Sequence, residues 1–175
     1  MDRHTQFTCI MNEMIHYYSS SVRRVNHFLK VWAFTRQIAL CEHVSEDTRF
    51  ILEITALMHD IGIKPSEEKY QSSAGRYQEL EGPAAARPIL EKYGFSIAQT
   101  ERICYLIAHH HTYTDIEGID YQILVEADFL VNLYEEGLSR KTAEHVRRQV
   151  FRTAEGIRCL ETLYLNSDKS EDPTA

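Results

Sequence analysis

Hydrophobic residues recur every three or four positions along most of the chain, and this spacing places them on one face of an α-helix. No segment shows the alternating pattern of a half-buried β-strand. From this periodicity we predict helices at about 5–18, 22–42, 48–60, 83–93, 97–110, 120–135 and 140–164. The pattern therefore indicates an all-α fold.

Glycine, proline and capping residues mark the helix ends. Pro83 follows Gly82 and suits the first position of a helix, so we predict that a helix begins there. Ser96 and Gln99 form a capping box that opens the next helix. The polar segment 61–81 is long for an unstructured loop, so we expect it to contain a short helix or to form a lid over a site.

Length and composition agree with a single globular domain. The 175 residues can bury one substantial core, and the 43% hydrophobic and 26% charged residues are typical of such proteins. We expect a bundle of about six to seven helices over residues 1–165 and a disordered polar tail at 166–175. The helix predicted at 140–164 could either close the core or form the face of a homodimer.

The net charge is −7, and the chain has no run of lysine and arginine. A protein that binds nucleic acid normally carries a basic patch, so we expect no nucleic-acid partner. The sequence begins without the apolar run of a signal peptide, and no stretch is long enough to span a bilayer. We therefore expect a cytoplasmic protein without a membrane partner.

A histidine–aspartate pair, His59-Asp60, ends the predicted helix 48–60 and is followed at once by Ile61-Gly62. The pair offers one nitrogen and carboxylate oxygens to a common point, a mixture that suits divalent ions such as Mn²⁺, Fe²⁺, Ni²⁺ or Zn²⁺. Taken alone, such a pair is more often an ordinary helix end in which the histidine lies beside a solvent-exposed aspartate.

Asp128 and His27 also lie on apolar helix faces. Asp128 shares its face with Leu124 and Val131. An unpaired buried carboxylate costs on the order of several kcal/mol, so Asp128 needs a metal ion, hydrogen-bond donors or a salt bridge to an arginine. His27 lies on the apolar face of the helix predicted at 22–42, where a lone histidine can also be an ordinary core residue.

Together, these residues come from three predicted helices, and ligands on several helices can converge in a bundle core. The order His…His-Asp…Asp, within "ALMHDIG" and "LVEADFL", resembles the HD-domain superfamily of metal-dependent phosphohydrolases. The segments "RVNHFLKVWAF" and "GPAAARPILEKYGF" resemble further parts of that family, so the resemblance runs from about Arg23 to Leu138. It implies an HD-like helical bundle in which the metal ligands are His27, His59, Asp60 and Asp128.

The consecutive histidines 109–111 resemble the paired histidines of HD enzymes that hold two or more metals. Those enzymes carry a further histidine where this chain has Gln78, a poor ligand. We therefore expect one firmly held divalent ion, which could be Mn, Fe, Ni, Co, Zn or Mg. The chain lacks the Gly-Tyr-Pro signature of the branch that cleaves cyclic dinucleotides, which disfavours cyclic di-GMP as the substrate.

The resemblance implies hydrolysis of a phosphomonoester or phosphodiester, for which we expect a small-molecule substrate of the nucleotide class. The ion would lower the pKa of its bound water and so create a nucleophile. The predicted catalytic residues are Asp60, Asp128 and His110. The predicted substrate-binding residues are Arg24, Lys64, Arg76 and His109, although Arg24 and Lys64 could be ordinary solvated side chains. The alternative is a non-catalytic regulatory or ligand-binding domain that keeps a structural metal.

Overall fold

The computed structural model describes residues 1–166. Within that range the chain forms nine α-helices, one 3₁₀ turn and one π-helical turn, without a β-strand. The helices are α1 (Arg3–Tyr17), α2 (Val22–Cys41), α3 (Glu46–Met58), α4 (Ile63–Tyr70), α5 (Gly75–Lys92), α6 (Ile97–Ile107), α7 (Ile119–Glu135), α8 (Arg140–Gln149) and α9 (Ala154–Leu160). The 3₁₀ turn (His59–Gly62) joins α3 to α4, and the π-helical turn (Glu161–Leu165) follows α9.

The prediction of an all-α fold is confirmed, although the described residues contain more helices than the six to seven expected. Helices α2 and α7 begin and end within one residue of their predicted bounds. The capping box at Ser96 and Gln99 is present at the start of α6. Most of the tail predicted to be disordered, 167–175, lies outside the described residues. No helix of residues 1–166 is long and apolar enough to cross a membrane.

Two hydrophobic clusters form the core and meet at α3. The first joins the buried faces of α2 and α7 to α8 and α9, with residues such as Ile38 and Leu124. The second joins α1, α3, α5 and α6, with residues such as Met14 and Leu90. Each apolar side chain removed from water contributes roughly 1.5–3 kcal/mol, so these clusters fix how the helices pack. The 3₁₀ turn directly follows α3 and contributes Ile61 to the second cluster.

The prediction that a helix begins at Pro83 is wrong, because α5 begins at Gly75 and contains both Pro83 and Pro88. The first turns of α5 pack against the 3₁₀ turn. A Cβ atom on Gly62 would lie 2.3 Å from the carbonyl oxygen of Gln78, so the glycine permits this close approach. This packing keeps the segment before Pro83 helical. The segment 61–81 also contains the short helix α4.

The single helix predicted at 140–164 is interrupted at 150–153, between α8 and α9. The reason lies on α7, where Glu126 is fully buried. Its Oε1 accepts hydrogen bonds from the backbone N–H groups of Arg152 (2.6 Å) and Thr153 (3.0 Å), which a continuous helix would use internally. Thr153 then caps α9 by accepting a hydrogen bond from the N–H of Gly156. The end of the helix predicted at 97–110 also needs correction, since α6 ends at Ile107.

Candidate metal centre

Three separate elements bring two histidines and two aspartates together. Helix α2 carries His27, the 3₁₀ turn carries His59 and Asp60, and α7 carries Asp128. Asp128 Oδ1 lies 3.2 Å from His27 Nε2 and 3.5 Å from His59 Nε2. Asp60 Oδ2 lies 3.4 Å and 3.6 Å from the same two nitrogens. Four potential ligand atoms thus surround one small volume.

Helix α1 holds the 3₁₀ turn in place. The hydroxyl of Tyr18 donates to the carbonyl oxygen of Asp60 at 2.5 Å, and that of Tyr17 donates to the carbonyl oxygen of Ile61 at 3.1 Å. These bonds use carbonyl groups that a continuing α-helix would use within its own backbone. The turn therefore directs His59 and Asp60 toward α2 and α7.

Hydrogen bonds fix the orientation of both histidine rings. His59 Nδ1 lies 2.9 Å from the carbonyl oxygen of Ala56, which can only accept, so Nδ1 carries the proton. His27 Nδ1 lies 3.0 Å from Glu135 Oε2, and Glu135 also pairs with Lys30. Both rings consequently direct Nε2 at the shared point, which is the arrangement that outer hydrogen-bond partners impose on metal-binding histidines.

Buried atoms around this point that have no hydrogen-bond partner among residues 1–166 include Asp128 Oδ1, His110 Nε2 and His111 Nε2. The other carboxylate oxygen of Asp128, Oδ2, accepts from the side-chain amide of Asn132 at 3.0 Å. Buried polar atoms are almost always paired, because leaving one unpaired is costly. A divalent cation would satisfy Asp128 Oδ1, so the residues present fit a metal ion.

The electrostatics of the cluster keep both carboxylates ionised. Burial raises the pKa of Asp128, but the adjacent His27 and His59 outweigh burial and hold that pKa well below its ordinary value. Burial likewise lowers the pKa of His59, but the nearby Asp60 and Asp128 raise it to about 9. Opposite charges thus stabilise each other, and a positive ion can take the place of the protons.

The turn after α6 brings two more histidines to Asp60. His110 Nε2 lies 3.6 Å from Asp60 Oδ1, and its Nδ1 lies 2.8 Å from the carbonyl oxygen of Ile107. Potential ligand atoms of Asp60, His110 and His111 all lie within 4.8 Å of one another, so this trio could also hold a metal ion. Burial and the neighbouring His110 lower the pKa of His111 to about 4, which leaves its ring neutral. The expectation of one firmly held ion stays a prediction.

A cavity of about 610 Å³ opens over the centre and is lined by residues such as His27, Asp60, Gln78, His111 and Asp128. Gln78 donates from Nε2 to the carbonyl oxygen of Ser73, whereas its buried Oε1 has no partner among the described residues. A glutamine therefore stands at the wall of the metal centre.

The structure separates the four predicted substrate-binding residues. Arg24 lines the cavity, but its Nη2 lies 2.6 Å from Glu67 Oε1. Lys64 instead lines a neighbouring groove, and its Nζ lies 5.2 Å from the ring centroid of Tyr17.

Neither Arg76 nor His109 is among the residues that line the cavity. Arg76 donates to the hydroxyl of Tyr77 at 2.8 Å and lies over that ring. His109 stacks on Tyr105, and its Nδ1 lies 2.7 Å from the Tyr105 carbonyl oxygen. The predicted contacts of Arg76 and His109 with the substrate stay predictions, and in the structure each side chain contacts an aromatic neighbour. Arg23, by contrast, lines the cavity and has no ion pair or side-chain hydrogen bond among residues 1–166.

Sequence reasoning missed the residues that hold the metal centre from outside. Glu79 Oε1 accepts from the backbone N–H of His111 and from the hydroxyl of Thr112, each at 3.0 Å. Tyr121 donates its hydroxyl hydrogen to the carbonyl oxygen of His109 at 2.5 Å. Glu135 lies seven residues after Asp128, a spacing of two helical turns that places both on one face and could have indicated its role.

The model of the family described as "HD domain" matches residues 24–153, well over half of the chain. The chain belongs to the HD domain family. This membership confirms the resemblance seen in the sequence and places the protein in a superfamily of metal-dependent phosphohydrolases. The cluster of His27, His59 and Asp60 is the kind of site that could hold the divalent ion of an HD domain. No curated protein and no solved structure matches the chain.

Proposed function

We propose that this HD domain protein hydrolyses a phosphomonoester or phosphodiester, of the nucleotide class, at a divalent ion held by His27, His59, Asp60 and Asp128. One observation carries the proposal. The buried Asp128 Oδ1 faces two histidine nitrogens and lacks a hydrogen-bond donor among the described residues. A structural salt bridge to an arginine, the alternative for this aspartate, is absent from residues 1–166.

A divalent ion in this place supplies Lewis acidity, which lowers the pKa of water and polarises a phosphoryl oxygen. The protein's own residues then orient the substrate and transfer protons. His110 carries its proton on Nδ1, which donates a hydrogen bond to the Ile107 carbonyl oxygen. Its Nε2 is therefore available to accept a proton inside the metal centre. Asp60, itself a proposed ligand, has its Oδ1 3.6 Å from His110 Nε2 and can take part in that transfer. Arg23 and Arg24 at the cavity wall offset the negative charge of a phosphate.

The metal assignment is tested by elemental analysis of purified protein after loading with Mn²⁺, Co²⁺ or Ni²⁺. We expect stoichiometric ion in the wild type and its loss in the double variant His59→Ala/Asp60→Ala. His145→Ala is the matched control, because this histidine is exposed on α8. Unchanged metal content in the double variant would show that the site is wrongly assigned.

The activity is tested with 4-nitrophenyl phosphate and a panel of nucleotides, with each metal and with EDTA. We expect metal-dependent release of phosphate that EDTA abolishes, and a large loss of kcat in His110→Ala with the metal content retained. Bound metal without turnover of any substrate would contradict the enzymatic proposal and favour the regulatory or ligand-binding role.

A further inference from the structure

A second, larger depression lies beside the metal centre. This groove of about 980 Å³ runs between α2, the end of α7 and the segment from α8 to the π-helical turn, and we name it the α7 groove. Three residues line both the α7 groove and the metal cavity, namely Arg23, Glu135 and Glu136. A molecule whose phosphate lies at the metal centre can therefore extend directly into the groove.

A short chain of contacts joins the metal centre to the wall of the groove. His27 Nδ1 lies 3.0 Å from Glu135 Oε2, and Glu135 pairs with Lys30. Lys30 Nζ in turn lies 5.9 Å from the centroid of the Tyr134 ring. Along α7, Tyr134 follows Asp128 by six residues, or about 9 Å of helix. This separation is on the order of the length of a nucleoside.

The groove offers an exposed aromatic ring together with polar groups that have no partner. The Tyr134 side chain is 72% exposed, which is unusual for a large aromatic residue and leaves a face on which a flat ring can stack. Arg23 and Glu136 are exposed at the junction with the metal cavity, and neither forms a side-chain hydrogen bond or ion pair within residues 1–166. Leu138 and Leu163 add apolar wall. Small-molecule sites commonly combine apolar surface, a few polar groups and this size.

We propose that the α7 groove binds the leaving group of the phosphoester, and that this leaving group is a nucleoside. The base stacks on Tyr134, the sugar hydroxyls donate to the Glu136 carboxylate, and Arg23 contacts the phosphate at the junction. In the reaction, water oxygen bonds to phosphorus, the bond from phosphorus to the sugar oxygen breaks, and the sugar oxygen takes up a proton. This inference rests on the proposed function and adds where the nucleoside part of the substrate binds and which residues of the α7 groove contact it.

The test compares substrate preference in Tyr134→Ala, Tyr134→Phe and the control Arg148→Ala, which removes an exposed arginine outside the groove. The substrates are nucleoside monophosphates and glycerol 2-phosphate, which lacks a ring. Stacking of a base on an aromatic side chain contributes about 1–3 kcal/mol, equivalent to roughly 5- to 150-fold in affinity. In Tyr134→Ala we expect the ratio of kcat/KM values, nucleotide over glycerol phosphate, to fall about tenfold, mainly through the nucleotide KM. Tyr134→Phe should keep the wild-type ratio.

The possible failures can be told apart. If both substrates are hydrolysed and Tyr134→Ala leaves the ratio unchanged, the groove does not bind the leaving group, although the proposed function stands. If no phosphoester is hydrolysed, titration calorimetry with adenosine and guanosine still tests the groove, because weaker binding in Tyr134→Ala supports it and equal binding overturns it. If sedimentation shows a dimer that Tyr134→Ala dissociates, the groove is an interface between two copies and the proposal is wrong.

Discussion

Removal of the Glu135 carboxylate should weaken metal binding although Glu135 is not a proposed ligand. Its Oε2 lies 3.0 Å from His27 Nδ1, and its side chain is only 12% exposed. The bond keeps the proton on Nδ1 and leaves Nε2 free to face Asp128. In Glu135→Ala the ring loses this partner, and the Lys30 ammonium group, which paired with the carboxylate, stays nearby without a counter-charge.

The expected loss follows from the role of such outer hydrogen bonds. Removing the partner of a metal-binding histidine typically weakens metal binding 10- to 100-fold, or about 1.4 to 2.7 kcal/mol. We expect Glu135→Ala to lie at the upper end of this range, because it removes both the acceptor for His27 Nδ1 and the negative charge that pairs with Lys30. Glu135→Gln should lie at the lower end, since its carbonyl oxygen can still accept from Nδ1.

The assay is competition between the protein and a chromophoric chelator for Zn²⁺ or Co²⁺ at neutral pH. His27→Ala sets the value for complete loss of that ligand. Glu144→Gln is the control, because it breaks an ordinary surface ion pair with Arg140. The reasoning is refuted if Glu135→Ala binds the metal as tightly as wild type while His27→Ala binds it weakly.

Three further predictions concern stability. Replacement of Glu126 by Ala leaves two backbone N–H groups and a hydroxyl unpaired between α8 and α9. Urea denaturation should therefore show that the free energy of unfolding falls by about 3 kcal/mol. A decrease of less than about 1 kcal/mol would contradict this prediction. Gly62→Ala places a Cβ atom 2.3 Å from the Gln78 carbonyl oxygen, so we expect a lower Tm and weaker metal binding. An unchanged Tm would rule out the clash. For Glu155, the hydrogen bond with Arg158 lowers the carboxyl pKa from 4.5 to about 2, so its stabilisation is present above pH 4.5 and disappears toward pH 2. The difference in unfolding free energy between wild type and Glu155→Gln should shrink over that window, and a difference independent of pH would disprove the assignment.

The spacing of apolar residues was sufficient to predict the helices whose packing is regular. Helices α2 and α7 carry an apolar face along most of their length, and their predicted bounds are correct within one residue. The start of α5 was mispredicted because Gly82-Pro83 is a strong local signal for a helix start. The contact of the 3₁₀ turn with the segment before Pro83 outweighs that signal, and no property of the local sequence reveals it.

Long-range partners explain the remaining differences. The break at 150–153 depends on Glu126, more than twenty residues earlier, so a periodicity of three to four residues cannot reveal it. At the metal centre, the histidine–aspartate pair and Asp128 were identified from their residue types and surroundings. The ion pair between Arg24 and Glu67 joins residues far apart in sequence, so the sequence did not reveal that Arg24, predicted to bind substrate, already has a carboxylate partner.

Helix α7 alone carries three residues that shape the metal centre. Tyr121 hydrogen-bonds the carbonyl oxygen of His109, Asp128 is a proposed ligand, and Glu135 orients His27. These residues depend on one another through the register of a single helix with 3.6 residues per turn. Insertion of one residue between Asp128 and Glu135 would rotate everything beyond it by about 100° and separate Glu135 from His27. Substitution at exposed positions of α7 leaves this register intact, whereas a change in its length between Tyr121 and Glu135 does not.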